Sequence, residues 1–222
     1  MNAYGYRKPG DLPARIPLFP LAGAIVFPRG ELPLNIFEPR YLNMVDDALR
    51  GDRVIGMIQP ASDAPSMRAF ASHDPPLAEV GAVGRITTFA ETEDGRYLIT
   101  LTGLCRFRLE NEISAQTPYR QALVDYAPFA EDLKAPGRIR IDREKLRQAL
   151  RRYVDTHGFQ ADWSAVDKAP TEALVNSVSA LCPFDAPAKQ ALLEAQTISD
   201  RCAALIALLE LGAAPDSPHG LQ

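Results

Sequence analysis

The segment IPLFPLAGAIVFPRGELPLNIFEPRY, residues 16–41, decides the fold of this chain. It contains three short apolar pieces, IPLFPL, AIVFP and ELPLNIF, which proline and glycine separate. Because proline is disfavoured inside helices and central strands, the segment predicts edge strands and ordered loops. The adjoining EPRYLNMVDDALR has apolar residues at helical spacing, and Pro39 suits a first turn, so one helix follows the strands.

The clearest hairpin signal lies further along the chain. Residues 83–92 and 96–102 alternate in polarity on either side of Glu-Asp-Gly, and Asp-Gly is favoured in the tight turns of hairpins. In the return strand, Leu98 falls on the opposite face from Tyr97 and Ile99. Shorter β patterns occupy residues 53–59, 105–113 and 122–126. Several antiparallel strands with one early helix predict a partly closed barrel.

The second half of the chain changes to helical periodicity. Apolar stripes occur after residues 142, 171 and 185, and Thr197 or Ser199 is placed to cap the last helix. The chain is therefore predicted to be α+β, with a β pseudo-barrel and one helix followed by a C-terminal helical bundle. The predicted divisions are an N-terminal extension (1–14), a β pseudo-barrel subdomain (15–127), a joint (128–141), a helical subdomain (142–211) and a disordered tail (212–222).

The composition limits the class of protein. The chain has 222 residues and a formal net charge of −4, from 24 basic and 28 acidic residues. A general nucleic-acid binder usually carries a basic excess, so nucleic acid is an unlikely partner. There is no apolar run of 18 residues and no apolar signal-peptide core near the start, which favours a cytoplasmic protein without a membrane partner. The three cysteines form no CxxC pair and are expected to be buried, unreactive thiols.

No motif for catalysis is found. None of the five lysines precedes serine or threonine, which excludes a P-loop, and no GxSxG nucleophile elbow occurs. Three lysines of the helical half lie in polar contexts that do not suggest a desolvated base: Lys145, Lys168 and Lys189. The three histidines are far apart in sequence, which disfavours zinc, and His73-Asp74 is the only adjacent pair. We therefore expect no catalytic residue, no metal and no cofactor.

One basic run stands out at residues 138–153, RIRIDREKLRQALRRY. It is suited to meet phosphate or an acidic peptide. The alternative is a solvated helix face, because acidic residues such as Asp142 and Glu144 lie at pairing distance from the basic ones. Aromatic residues for base stacking are scarce around it, which favours the second interpretation.

Several segments together resemble the Lon N-terminal domain family. Besides residues 16–41, they are G-x-V-G-x-I at 81–86, DGRYLITLTGLCRF at 94–107 and AKQALLEAQTISDRCAALIALLE at 188–210. The resemblance covers about residues 15–211. It implies a PUA-like β pseudo-barrel and a helical bundle, a domain that helps full Lon proteases capture substrate polypeptides. Full proteases continue into an ATPase module and a serine–lysine peptidase, which this chain is expected to lack.

Capture of an unfolded chain requires exposed apolar surface or an unpaired strand edge. The candidate contact residues are Phe27, Pro28, Phe37, Arg40 and Tyr41. As alternatives, Phe27 and Phe37 belong to the core, and Glu38 pairs with Arg40 to fix the start of the helix. Gly103 is predicted to form a turn, and Arg106 is predicted to make a supporting hydrogen bond.

These observations predict a non-catalytic polypeptide-binding or protein-binding module whose oligomeric state is left open. Two alternatives belong to other classes. A small-ligand or RNA-binding barrel is suggested by fold analogy alone, with Arg151 and Arg152 as the residues to test. A peptidase with an unrecognised catalytic dyad is the other alternative.

Overall fold

The computed structural model describes residues 5–61, 75–135, 137 and 139–214. Six strands lie in these ranges: β1 (Arg15–Pro20), β2 (Glu31–Ile36), β3 (Val54–Ile58), β4 (Val80–Glu91), β5 (Tyr97–Ile113) and β6 (Gln121–Asp125). The α-helices are α1 (Pro39–Arg50), α2 (Arg143–His157), α3 (Trp163–Lys168), α4 (Thr171–Leu181), α5 (Ala186–Glu194) and α6 (Ile198–Gly212). Short 3₁₀ helices occupy Pro9–Asp11 and Ala127–Leu133.

The strands form one sheet that closes on itself. Its order is β2-β5-β4-β3-β1-β6, and β6 also pairs with β5, so five strands make a ring and β2 is attached to its outside. All pairs are antiparallel except β1 with β3. Five helices follow the sheet. The predicted α+β class is confirmed.

The long strand β5 organises the ring. Its first part, from Tyr97 to Thr102, pairs with β2, whereas its last part, from Arg108 to Ile113, pairs with β6. β4 pairs with it along most of its length. The prediction of two separate strands with a turn at Gly103 is wrong, because β5 continues through that residue.

Gly103 is needed for a close approach between backbones. Its N–H donates to the carbonyl of Gly30, and its own carbonyl accepts from the N–H of Arg29, both at 2.8 Å. A Cβ added to Gly103 would lie 2.0 Å from the carbonyl oxygen of Phe27. The glycine therefore lets the loop of residues 27–30 lie directly on β5.

The AIVFP piece at residues 24–28 is not a strand, which corrects the sequence prediction. The segment is irregular and mostly buried, and Phe27 packs beneath the guanidinium of Arg201 with 4.2 Å between that group and the ring centroid. The carbonyl of Phe27 accepts from the N–H of Gly30, and the carbonyl of Pro28 accepts from the side chain of Asn176 in α4. Hydrophobicity therefore indicated burial correctly but not conformation.

Proline positions agree with the prediction only in part. Pro33 lies in β2, an edge strand, as expected. Pro17 and Pro20 lie in β1, which is inside the ring. They are tolerated because each half of β1 has one strand partner: residues 15–17 pair with β6, and residues 18–20 pair with β3.

The helical half follows the predicted periodicity, with one additional helix. Thr197 caps α6 through a reciprocal box with Asp200, whereas the hydroxyl of Ser199 donates to the carbonyl of Arg140. Helix α3 was not predicted. It has six residues and none of them is buried, so it leaves no apolar stripe in the sequence.

The boundaries of the predicted subdomains stay predictions. The first part of the joint at 128–141 is not free of the ring, because the 3₁₀ helix Ala127–Leu133 packs on β5. One group of buried residues fills the ring, and another continues from the α1 side of the ring into the helices. In the predicted tail, α6 extends to Gly212, and residues 215–222 lie outside the described part.

Arg106 connects the ring to the helices. It is almost fully buried, and its Nε and Nη2 each donate to the Asp132 carboxylate at 2.9 Å. The same guanidinium donates to the carbonyls of Leu193 at 3.1 Å, Ala195 at 2.6 Å and Gln196 at 3.3 Å. These carbonyls lie at the C-terminal end of α5, where the helix dipole is negative and carbonyls lack helical partners. The predicted supporting hydrogen bond is therefore a whole set of bonds.

We expect Gly103→Ala to lower the free energy of unfolding by about 3 kcal/mol, because the new methyl group would collide with the backbone of Phe27. Urea titration followed by circular dichroism measures this change. Gly10→Ala is the matched control, since nothing lies within 4 Å of the methyl group it adds. Equal stability of the two variants would contradict the close approach.

We expect Asp132→Asn to destabilise the protein by about 3–5 kcal/mol, because the buried Arg106 guanidinium loses its only paired charge among the described residues. The control is Asp167→Asn, which breaks the exposed pair with Arg147 and costs less than about 1 kcal/mol. Thermal or urea unfolding of both variants provides the comparison. Similar losses in the two proteins would show that burial does not matter here.

Candidate functional site

The predicted contact residues divide into buried and accessible ones. Phe27 is 2% exposed and Phe37 is 62% exposed. Phe27 is thus a core residue, as its alternative interpretation held, and the core interpretation of Phe37 is wrong. Pro28 is buried as well, and its carbonyl accepts from the Asn176 amide at 3.4 Å. Phe27 and Pro28 cannot touch a ligand while the loop stays in place.

Tyr41 is also buried, at the start of α1. Its ring packs on Phe19 with 4.3 Å between centroids, and the Arg40 guanidinium lies 4.5 Å from the ring centroid on the outside. Arg40 forms the predicted ion pair with Glu38 at 2.9 Å. Both partners are partly exposed, so the pair contributes about 0–1 kcal/mol. Of the five candidates, Phe37 and Arg40 face solvent.

Phe37 directly follows a free strand edge. β2 is the terminal strand of the sheet, and among the described residues it pairs with β5 alone. In an antiparallel edge strand, about half of the backbone groups point away from the neighbouring strand and are free to bond. Pro33 lacks one such donor. The remaining edge can accept an extended chain.

Two further apolar side chains lie at the same end of the sheet, on opposite faces of it. Leu98 is 46% exposed and pairs in register with Asn35 of β2, and Phe89 is 43% exposed and pairs with Ile99. The last residue of β2 pairs with Tyr97, so Phe37 emerges beside the start of β5. We call Phe37, Phe89 and Leu98 the apolar end. Sequence alternation placed Leu98 on an outer face, but it gave no reason to select it.

The surface around Leu98 is concave. A shallow depression of about 440 Å³ is lined on that face by residues of β2, β4 and β5, namely Pro33, Asn35, Thr88, Ala90, Leu98 and Thr100. The depression extends from β2 across β5 to β4, so a chain added to β2 would border one side of it. Its size and shallow shape suit side chains of moderate volume.

Tyr97 connects the apolar end to α1. Its ring contacts Phe89 with 4.9 Å between centroids, and its hydroxyl donates to Asp46 at 3.2 Å. Burial raises the pKa of Tyr97, and the hydrogen bond to Asp46 and the charges of Asp46 and Glu91 raise it further. Tyr97 therefore remains protonated and keeps this hydrogen bond at neutral pH.

The helical half contains a second apolar surface. A groove of about 720 Å³ lies between α2, α3 and α4, lined by residues that include Leu150, Val154, Leu174 and Val178. Leu181, 82% exposed, stands at its rim. Nothing in the sequence singled this groove out, because its walls are ordinary core-facing stripes.

Three arginines of the basic run at residues 138–153 contact helix α3. Arg143 donates to the carbonyls of residues 166, 167 and 169 at the end of that helix. Arg147 pairs with Asp167 at 3.0 Å, and Arg151 lies 4.7 Å from the centre of the Trp163 ring. These arginines attach a helix that has no buried residues. The pairing expected along the helix face occurs between Arg147 and Glu144 at 3.9 Å, whereas the attachment of α3 was not predicted.

The described residues show little that could perform chemistry. They include no group of three or more His, Cys, Asp or Glu side chains arranged for a metal ion, and His73 and His219 lie outside them. All three cysteines are free and buried, as predicted. Burial raises the pKa of Cys105, and it raises that of Cys182 to about 11, which keeps both thiols protonated at neutral pH.

Lys189 contradicts the expectation of a polar setting. It is buried, and its ammonium donates to the carbonyls of Gly23 at 2.9 Å and Ala180 at 3.0 Å. Burial lowers its pKa. These bonds attach α5 to the loop after β1 and to α4, which is a structural role.

None of the helices in the described ranges has the length and apolar character needed to cross a bilayer.

Comparisons with known proteins agree on one similarity. A family model described as the ATP-dependent protease La (LON) substrate-binding domain matches residues 15–210. Lon protease 2 of Myxococcus xanthus is 32% identical over 118 residues, which are 52% of this chain and 13% of the relative. The Lon protease of Flavobacterium johnsoniae is 22% identical over 198 residues, 86% of this chain and 23% of the relative. The chain thus spans less than a quarter of these relatives.

Two solved structures share the fold. A Lon N-terminal domain protein from Xanthomonas campestris superposes with a TM-score of 0.60 at 22% identity, covering 87% of this chain and 97% of that one. The N-terminal domain of a Mycobacterium avium complex Lon protease gives a TM-score of 0.61 at 14% identity, with coverage of 88% and 97%. At these identities the likeness concerns the fold alone.

The burial pattern predicts opposite effects for two neighbouring aromatics. Phe37→Ser should change the free energy of unfolding by no more than about 0.5 kcal/mol, because the ring is exposed. Tyr41→Ser should cost about 3–5 kcal/mol, because it empties a site against Phe19. Urea unfolding of both variants tests this. A large loss in Phe37→Ser would place that ring in the core.

Proposed function

This chain belongs to the family of LON substrate-binding domains, and from that premise we propose that it is a non-catalytic module that binds unfolded polypeptide. The observation that carries the proposal is the free edge of β2, which ends at the exposed ring of Phe37. An unfolded chain has free backbone groups that can pair with the strand edge and exposed apolar side chains that can pack on Phe37, whereas a folded chain has neither available.

The proposed binding mode is strand addition. An extended polypeptide pairs with the outer edge of β2 through backbone hydrogen bonds, which do not depend on its sequence. Alternate side chains of the added strand then face the depression around Leu98, and one at its end packs on Phe37. Folded proteins have already paired their backbone groups and buried their apolar side chains, so they compete poorly for this edge.

The expected affinity is modest. The edge has six residues, and an unfolded ligand loses conformational entropy when it is ordered as a strand. We therefore expect dissociation constants on the order of 10 μM for single segments. Weak, rapidly exchanging contacts suit a module that samples many unfolded chains.

A cytoplasmic setting is part of the proposal. The three cysteines, Cys105, Cys182 and Cys202, are free thiols, which fits a reducing compartment. The activity of the much longer Lon relatives is not transferred to this chain. In this proposal the module recognises the unfolded ligand, and other proteins carry out any processing of it.

The test is fluorescence polarisation with a labelled, permanently unfolded protein, reduced and carboxymethylated α-lactalbumin. We expect the wild-type chain to bind it and Phe37→Ser to raise the dissociation constant about tenfold, the loss typical of a contact hot spot. The matched control is Leu181→Ser, which removes an even more exposed apolar side chain at the helical groove.

Each outcome is decisive. Absence of binding by the wild-type chain at 200 μM, roughly twenty times the expected dissociation constant, would contradict the function. A loss confined to Leu181→Ser would keep the function and move the site to the helical groove. Cleavage of the unfolded probe by the purified chain would support the peptidase alternative in place of a non-catalytic module.

A further inference from the structure

The net charge of the chain is concentrated around the apolar end. Residues 31–50 and 86–102, which contain β2, α1 and the hairpin tip, hold seven of the 28 acidic and three of the 24 basic residues. The rest of the chain is left with 21 of each sign, so it is balanced. The whole formal charge of −4 therefore belongs to this one part of the molecule.

The three basic residues of this part are already neutralised. Arg40 pairs with Glu38 at 2.9 Å, Arg50 pairs with Asp47 at 3.0 Å, and Arg96 pairs with Asp94. The hydrogen bond from Arg96 also holds the pKa of Asp94 well below its usual range. No arginine here remains to attract an acidic ligand.

Two of the remaining acidic residues adjoin Tyr97 and Phe89, on the face of the sheet opposite to Leu98. Glu91 pairs in register with Tyr97, whose ring contacts Phe89, and Asp46 accepts the hydrogen bond of the Tyr97 hydroxyl. Glu93 stands exposed in the hairpin turn, two residues further along. Among the described residues, none of these three carboxylates has a basic partner within ion-pair distance.

We propose that the apolar end selects unfolded segments in which apolar residues are flanked by lysine or arginine. This inference rests on the proposed function and names its substrate class. An apolar side chain of the ligand packs on Phe37 at the end of β2. Flanking ammonium or guanidinium groups approach Glu93 in the hairpin turn and the carboxylates of Asp46 and Glu91, which lie on the face of Tyr97. Exposed charges act over about 8–10 Å at ordinary salt, which is two or three residues along an extended chain.

The negative charge of the apolar end disfavours other classes of ligand. Acidic segments are repelled, and the phosphates of a nucleic acid meet unpaired carboxylates where a binder would need basic residues. The selection works mainly through the encounter rate and through the choice among unfolded chains, since exposed ion pairs add little to affinity one by one. Several acting together give a measurable preference.

The proposal is tested with three labelled peptides that share one apolar core, such as Leu-Phe-Val-Leu. The core is flanked on each side by three lysines in the first peptide, three glutamines in the second and three glutamates in the third. We expect the lysine peptide to bind about tenfold more tightly than the glutamine peptide at 20 mM salt and the glutamate peptide to bind most weakly. The differences should shrink at 500 mM salt, where the screening length falls below about 5 Å.

Two double variants locate the effect. Glu91→Gln with Glu93→Gln should remove most of the lysine preference and leave the affinity for the glutamine peptide unchanged. Asp155→Asn with Glu210→Gln is the control, because it removes the same number of exposed charges from the helical half. Circular dichroism and urea unfolding of both double variants establish that they are folded.

The outcomes separate this inference from the proposed function. Equal binding of all three peptides would overturn the charge selection and leave polypeptide binding intact. Failure of every peptide, with failure of the unfolded protein probe, would overturn the proposed function itself. A lysine preference that survives the Glu91 and Glu93 substitutions, or that falls equally in the control, would show that the carboxylates at the apolar end are not its source.

Discussion

The rest of the structure depends on one buried cation, the guanidinium of Arg106. It lies at the middle of β5 and bonds to Asp132 of the 3₁₀ helix and to carbonyls at the end of α5. Three elements that are distant in sequence thus meet at a single side chain. Since an unpaired buried charge is far more costly than a paired one, the ring and the helices are held in one mutual arrangement.

Fixing the middle of β5 leaves its two ends with separate tasks. The end that pairs with β6 closes the ring, and the end that pairs with β2 projects an edge with which no other described strand pairs. A rigid support beneath a free edge is favourable for binding, because the edge does not need to be ordered when a ligand arrives. The helices contribute by holding the loop of residues 27–30 against Gly103.

The sequence predicted the fold class and most elements, because strand alternation and helical stripes are properties of neighbouring residues. It did not distinguish Phe27 from Phe37. Both follow similar apolar runs, and Phe27 is covered by Arg201, which reaches it from the last helix. Gly103 was misread as a turn, since the need for a glycine came from a loop seventy residues away. Lys189 was misjudged for the same reason.

The antiparallel pairing of β2 with β5 has a consequence for how this surface can diversify. β2 lies in the crossover between the parallel strands β1 and β3, and it pairs with β5 residue by residue from Glu31 to Ile36. An inserted or deleted residue within β2 would shift that register, and in a strand a shift by one reverses every side chain. New specificities can therefore arise by exchanging outward-facing side chains, but hardly by changing the length of β2.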